Sequence, residues 1–154
     1  MKKILLVLFL ILGVVSFALP NYVSEEKIRN SGYVITDEEE FGFRIARQKN
    51  NGDATVILYY LDYPEVSSAK QLSEMSVKTA PEEFKFLGST ENKKAYINKF
   101  VSPEGKGVYS FVGKKSKIKD CYIVIMHSTS KQLSNSELTK TVDVLLDEAE
   151  SFLK

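Results

Sequence analysis

The sequence predicts an α+β domain in which an antiparallel sheet of about six or seven strands carries a middle helix and a long C-terminal helix packed on it. Three observations carry that prediction. Short apolar or alternating segments recur at hairpin spacing from residue 33 to residue 128, separated by Asn-Gly, Glu-Asn and Pro-Glu-Gly turn chemistry. Residues 67–79 break that rhythm with apolar positions three and four apart. The chain closes on a Ser-capped stretch whose apolar residues draw one helical stripe.

Ahead of the domain, Met1-Lys2-Lys3 is followed by an apolar run at residues 4–15, then by Ser16-Phe17-Ala18 and Leu19-Pro20-Asn21. A basic start, a short apolar core and small residues before the cut predict a secretory signal peptide cleaved after Ala18. The run falls short of the roughly 18 to 20 apolar residues that cross a bilayer, and Gly13 and Ser16 thin it further. No Cys follows it to carry a lipid. The expected products are a signal peptide, residues 1–18, and a single α+β domain, residues 19–154, exported to a periplasmic or secreted location with no membrane span after cleavage.

Ser24 is placed to cap a short helix over residues 24–30, with Glu25 and Glu26 in its first turn, Arg29 near its end and Gly32 just past it. Residues 33–36 read as a strand, the acidic residues 37–40 as a turn, and residues 41–47 as a strand with Phe41, Phe43 and Ile45 on one face. Asn51-Gly52 accepts the positive φ of a tight hairpin, so residues 54–61 should pair antiparallel with the preceding strand. That strand is apolar on both sides, which predicts a central position covered from both faces. Residues 67–79 then read as a helix closed by Pro81. Strands at residues 84–89, 94–102, 107–114 and 120–128 follow. Finally, Ser134 and Glu137 form a capping box ahead of a stripe of Leu138, Thr141, Val142, Leu145, Ala149, Phe152 and Leu153, with Asp143, Asp147, Glu148 and Glu150 opposite.

Removing Lys2 and Lys3 turns 21 basic and 20 acidic residues into 19 and 20, so net charge gives no pull toward nucleic acid or anionic lipid. The remaining length suits one domain with one core. Cys121 has no partner for an intramolecular disulfide and reads as a small buried hydrophobe. His127 is the only histidine, so one Cys and one His do not make a zinc site. His127 lies beside Ser128, Thr129 and Ser130, but no nucleophile elbow or orienting acid marks a triad. Residues 37–40 lack the alternating spacing that wraps calcium, and no glycine-rich loop opens a helix to hold phosphate. Catalytic, cofactor-binding and metal-binding residues are therefore all expected to be absent. Two surface features are candidates for an interface. Tyr59, Tyr60 and Tyr63 offer amphipathic rings, and Lys114, Lys115, Lys117 and Lys119, with Lys106 in the preceding turn, offer a basic hairpin end.

The inserted helix Ala69–Lys78, the meander through Lys94-Ala95-Tyr96-Ile97 and Gly107-Val108-Tyr109-Ser110-Phe111, the closing strand at residues 122–126 and the ending Ser151-Phe152-Leu153-Lys154 together resemble the PsbP-like superfamily. That superfamily includes the extrinsic photosystem subunit, the Ran-binding nuclear import factor and many small exported bacterial proteins. The resemblance covers nearly all of residues 19–154 and is one of element order. It implies a scaffold without a shared active site whose members mostly bind or assist other proteins. The expectation is a non-enzymatic envelope protein, a monomer, binding another envelope protein as adaptor, chaperone or assembly factor. The alternative is a small-ligand binder with a pocket between sheet and helix.

Overall fold

Ser24, in extended conformation, accepts a hydrogen bond from the Lys27 amide and opens α1, Glu25–Asn30. Glu25 and Arg29 pair across one turn, and Gly32, at φ +76°, lets the chain leave the helix. The computed structural model describes residues 19–39 and 42–154, so residues 1–18, the proposed signal segment, lie outside the described residues, as do Glu40 and Phe41.

Strand β1, Val34–Glu39, and strand β2, Gly42–Lys49, follow. The turn expected at residues 37–40 does not take in residues 37–39: Asp37, Glu38 and Glu39 continue β1 and pair with Arg44, Phe43 and Gly42 after an irregularity past Ile35, and Glu40 lies outside the described residues. The edge of β2 offers backbone partners that override a turn-like composition, and charged residues are tolerated on an outermost strand. At the Asn50–Gly52 turn, Asn51 and Gly52 both take positive φ, as the Asn-Gly pair predicts, and β3, Ala54–Leu61, pairs with β2 over its whole length.

After β3 the chain crosses by α2, Ala69–Lys78, whose first turn is capped by Ser68 accepting from Gln71 N–H. It lays down β4, Lys85–Glu91, as the far edge and returns inward through β5, Ala95–Val101, and β6, Gly107–Gly113, to β7, Tyr122–Thr129. The sheet order is β1-β2-β3-β7-β6-β5-β4, antiparallel throughout. The central strand is thus β7, with β3 beside it.

Helix α3, Asn135–Ser151, starts on the predicted capping box: Ser134 Oγ accepts from Glu137 N–H, and the Glu137 carboxylate accepts from Ser134 N–H. Its stripe of Leu138, Val142, Leu145, Leu146 and Ala149 is buried on one face of the sheet, against alternate residues such as Phe43, Ile45, Leu58, Phe111 and Ile125. Each such side chain contributes on the order of 1.5–3 kcal/mol by leaving water. The segment before α1 is clasped to the residues that follow α3, since Ser24 N–H donates to Phe152 O and Lys154 N–H to Tyr22 O. Glu148, expected on the solvent side of α3, instead turns inward: it accepts from the two terminal guanidinium nitrogens of Arg47 at 2.7 Å each and from the Tyr33 hydroxyl at 2.9 Å. The Arg47 guanidinium also lies 4.2 Å from the Tyr33 ring centroid. This cluster binds the end of α1, β2 and α3 together.

A candidate interface on the open half of one sheet face

In an antiparallel sheet, residues directly opposite one another point to the same side, so the register sorts side chains into rows across the strands. On the face away from α3, the middle row runs Val34, Ala46, Ile57, Met126, Ser110, Asn98 and Ser89. The row beside it runs Arg44, Tyr59, Val124, Val112, Tyr96 and Glu91.

Helix α2 covers the β5–β6 side of this face. Its Leu72 packs with Val112, Val124, Leu61 and Val66, while Asn98 Nδ2 donates to the Ser73 carbonyl at 3.0 Å and Ser89 donates to Asn98 Oδ1 at 2.7 Å. The β1–β2–β3–β7 side has no helix over it among the described residues. Val34 is 43% exposed, and Ile57, Tyr59 and Met126 are half-buried. The double-sided apolar pattern of β3 therefore does not mean cover from both sides. Val56, Leu58 and Tyr60 are core, whereas Ile57 and Tyr59 face a surface only partly covered.

Of the three tyrosines singled out by sequence, the structure brings Tyr59 and Tyr63 together, in one cluster with Tyr96 and Tyr122 around the start of α2. The Arg44 guanidinium stands 5.9 Å from the Tyr59 ring, and Tyr122 donates its hydroxyl to Val66 O. Tyr60 is a correction. Strand alternation turns it to the other face, where it is fully buried, stacks on Phe43 at 4.6 Å and donates to Ala149 O at 2.7 Å, so it cannot serve a surface. Burial pushes its hydroxyl pKa up, as it does for Tyr33.

The lysines divide as well. Lys114 is half-buried, paired with Glu91 and 4.8 Å from the Tyr96 ring, so it borders the tyrosine cluster. Lys115, Lys117 and Lys119 are exposed on the β6–β7 loop at the same end of the sheet. Lys106 does not join them: seven residues of β6 carry the chain to the opposite end, so one basic hairpin end including Lys106 does not form.

His127 lies on the α3 face, between Tyr109 and Phe111, with Nδ1 3.2 Å from Thr55 O. Burial lowers its pKa, partly offset by that backbone contact. Ser128 points to the other side of the sheet by alternation, so the neighbouring hydroxyl is out of reach. Cys121 is buried just before β7, and burial raises its thiol pKa to about 11, with Asp62 and Glu150 adding to the shift. Among the described residues there is no grouping of three or more His, Cys, Asp or Glu that could hold a metal ion, and no helix long and apolar enough to cross a membrane.

The open half-face was missed by sequence because β3 reads as apolar throughout. Which alternate residues lose their cover depends on where α2 lands, and nothing in the period of α2 states that. No protein-family model matches the chain, and no curated protein matches it.

Proposed function

We propose that this chain is an exported, non-enzymatic envelope protein with a PsbP-like frame, and that it acts by binding another protein as an adaptor, chaperone or assembly factor. The observation that carries this reading is the open half-face: Val34, Ile57, Tyr59 and Met126 share one apolar and aromatic side of the sheet beside α2, with buried Ala46 between Val34 and Ile57 and with Arg44, Gln48 and Ser128 around them. Aromatic residues, Met and Arg are the types enriched where protein interfaces lose water, and a shallow shelf with few converging polar groups suits a protein segment better than a small molecule. The buried, solitary imidazole of His127 supports a role without catalysis.

The test is affinity purification of C-terminally tagged protein from crosslinked cells of its source. Wild type should retain one partner at near-stoichiometric yield, and Ile57→Glu and Met126→Glu should lose it while keeping the native circular dichroism. Equal recovery with the variants would sink the surface assignment. The small-ligand alternative has one observation behind it: Ser110 Oγ, buried in the middle row at the margin of α2, has no hydrogen-bond partner. It would show as a thermal shift with a polar compound that Ser110→Ala abolishes.

A further inference from the structure

The sheet face away from α3 is a floor with one wall. Helix α2 stands on β5 and β6, with Leu72 and Ser73 buried beneath it, and no second helix stands on β3 and β7 among the described residues. Val124 of β7 is buried against Leu72 of α2, whereas Met126, the next residue of β7 on that face, is half-buried and lies directly opposite half-buried Ile57 of β3. Helices packed side by side have axes about 8–10 Å apart, and neighbouring strands are about 4.8 Å apart. One helix spacing from α2 is therefore about two strands, which falls on the Met126–Ile57 pair.

This floor discriminates among occupants by their backbone and their shape. An extended segment has no ladder to join here, because the free backbone groups of a sheet lie along its edges, which are β1 and β4. Laid over Ile57 and Met126 it would bury N–H and C=O groups without partners. A second copy presenting its own sheet is held off the floor by α2, which rises about 10 Å above it. Two such half-faces would also bury only on the order of 500 Å², under half of the roughly 1,200 Å² at the lower end of stable interfaces.

A second copy presenting one of its helices would bury charge. Exposed Lys70, Glu74 and Lys78 line the outer side of α2, Ile28 of α1 is already core, and Val144 is the one large apolar side chain exposed on α3 among the described residues, near exposed Lys140 and Asp147. A helix from another protein, apolar along one stripe, meets none of these objections. It satisfies its backbone internally, and its diameter of about 10 Å fills the step between the floor and α2.

We infer that the partner enters this shelf as an amphipathic α-helix, laid beside α2 over β3 and β7 with its apolar stripe on Ile57 and Met126. The inference rests on the protein-binding reading and adds the form of the segment that is bound. Recognition of this kind uses anchors at i, i+3, i+4 and i+7 of the bound helix.

The test reads that spacing on the partner. A photoreactive amino acid would be placed singly at Thr55, Ile57, Met126 and Ser128, which share this face on the two strands, and crosslinks formed in cells of the source would be mapped by mass spectrometry. The attachment points should fall in one partner segment at residues three, four or seven apart. A synthetic peptide of that segment should bind residues 19–154 of this chain and gain helical circular dichroism, and proline at its central position should weaken binding by about 100-fold. Attachment points two apart or scattered over several segments, a peptide that binds without gaining helix, or undiminished binding of the proline peptide would overturn the helix and leave the protein-binding reading standing. Attachment to a second copy of this chain, or no adduct from any of the four positions, would overturn both.

Discussion

Replacing Glu148 by Ala removes the carboxylate that holds three elements together. Two charge-assisted hydrogen bonds at 2.7 Å from Arg47 and one at 2.9 Å from Tyr33 disappear, leaving the guanidinium with the Ser31 carbonyl as an oxygen partner and the Tyr33 hydroxyl without this acceptor. Breaking a fully buried pair costs about 3–5 kcal/mol. Here the side chains of Arg47 and Glu148 are 13% and 22% exposed, so water recovers part of that loss and about 2–3 kcal/mol is expected. For a domain of this size that lowers Tm by roughly 6–15 °C. The assay is urea and thermal unfolding of Glu148→Ala, Arg47→Ala and the double variant. Because each single change strands the other partner, the double variant should be less destabilised than the sum of the two, by about 1–3 kcal/mol. A single-variant loss below about 1 kcal/mol, or strict additivity, would refute the claim that this cluster fastens the domain.

Three further outcomes follow from the same geometry. With its thiol buried and its pKa raised to about 11, Cys121 should react with a thiol reagent about 100-fold slower in the native protein than in urea, and comparable rates would show that its strand end is open. Burial lowers the His127 pKa, so the folded protein binds its proton less readily than the unfolded chain. The corresponding stability is complete above the unfolded value of 6.5 and is lost as pH falls from there toward the lowered folded value. Unfolding free energies measured across that window should fall with pH in wild type and less so in His127→Gln, and identical slopes would contradict this. Gly42 sits at φ +151° with the Tyr60 carbonyl 1.8 Å from where a Cβ would stand, so Gly42→Ala should cost roughly 2–4 kcal/mol, and a neutral effect in urea unfolding would be inconsistent with that approach.

The elements legible in the sequence were those whose signal is local. Ser134 and Glu137 announce the start of α3, Asn51-Gly52 announces the turn before β3, and the three-to-four apolar spacing over residues 67–79 places α2 within two residues of Ala69–Lys78. What could not be read depended on partners far along the chain. Asp37, Glu38 and Glu39 look like a turn until β2 supplies an edge to pair with. The central place of β7 arises because it meets β3 and β6 on its two sides, which its own apolar run does not encode. Tyr59 and Tyr60 are alike in sequence, and only the placement of α3 and α2 makes one surface and the other core. Glu148 follows the polar face of α3 until Arg47, 101 residues earlier, turns it inward.

The central claim is that the open half-face holds a protein partner, and site-specific photocrosslinking tests it most directly. A photoreactive amino acid would be placed singly at Ile57, Met126 or Val34 on the shelf, and at Phe86 or Val144, which are exposed on the β4 edge and on α3. The account predicts one adduct of the same mass from the three shelf positions and none from Phe86 or Val144. An adduct that forms equally from all five, or only from Phe86 or Val144, would contradict it.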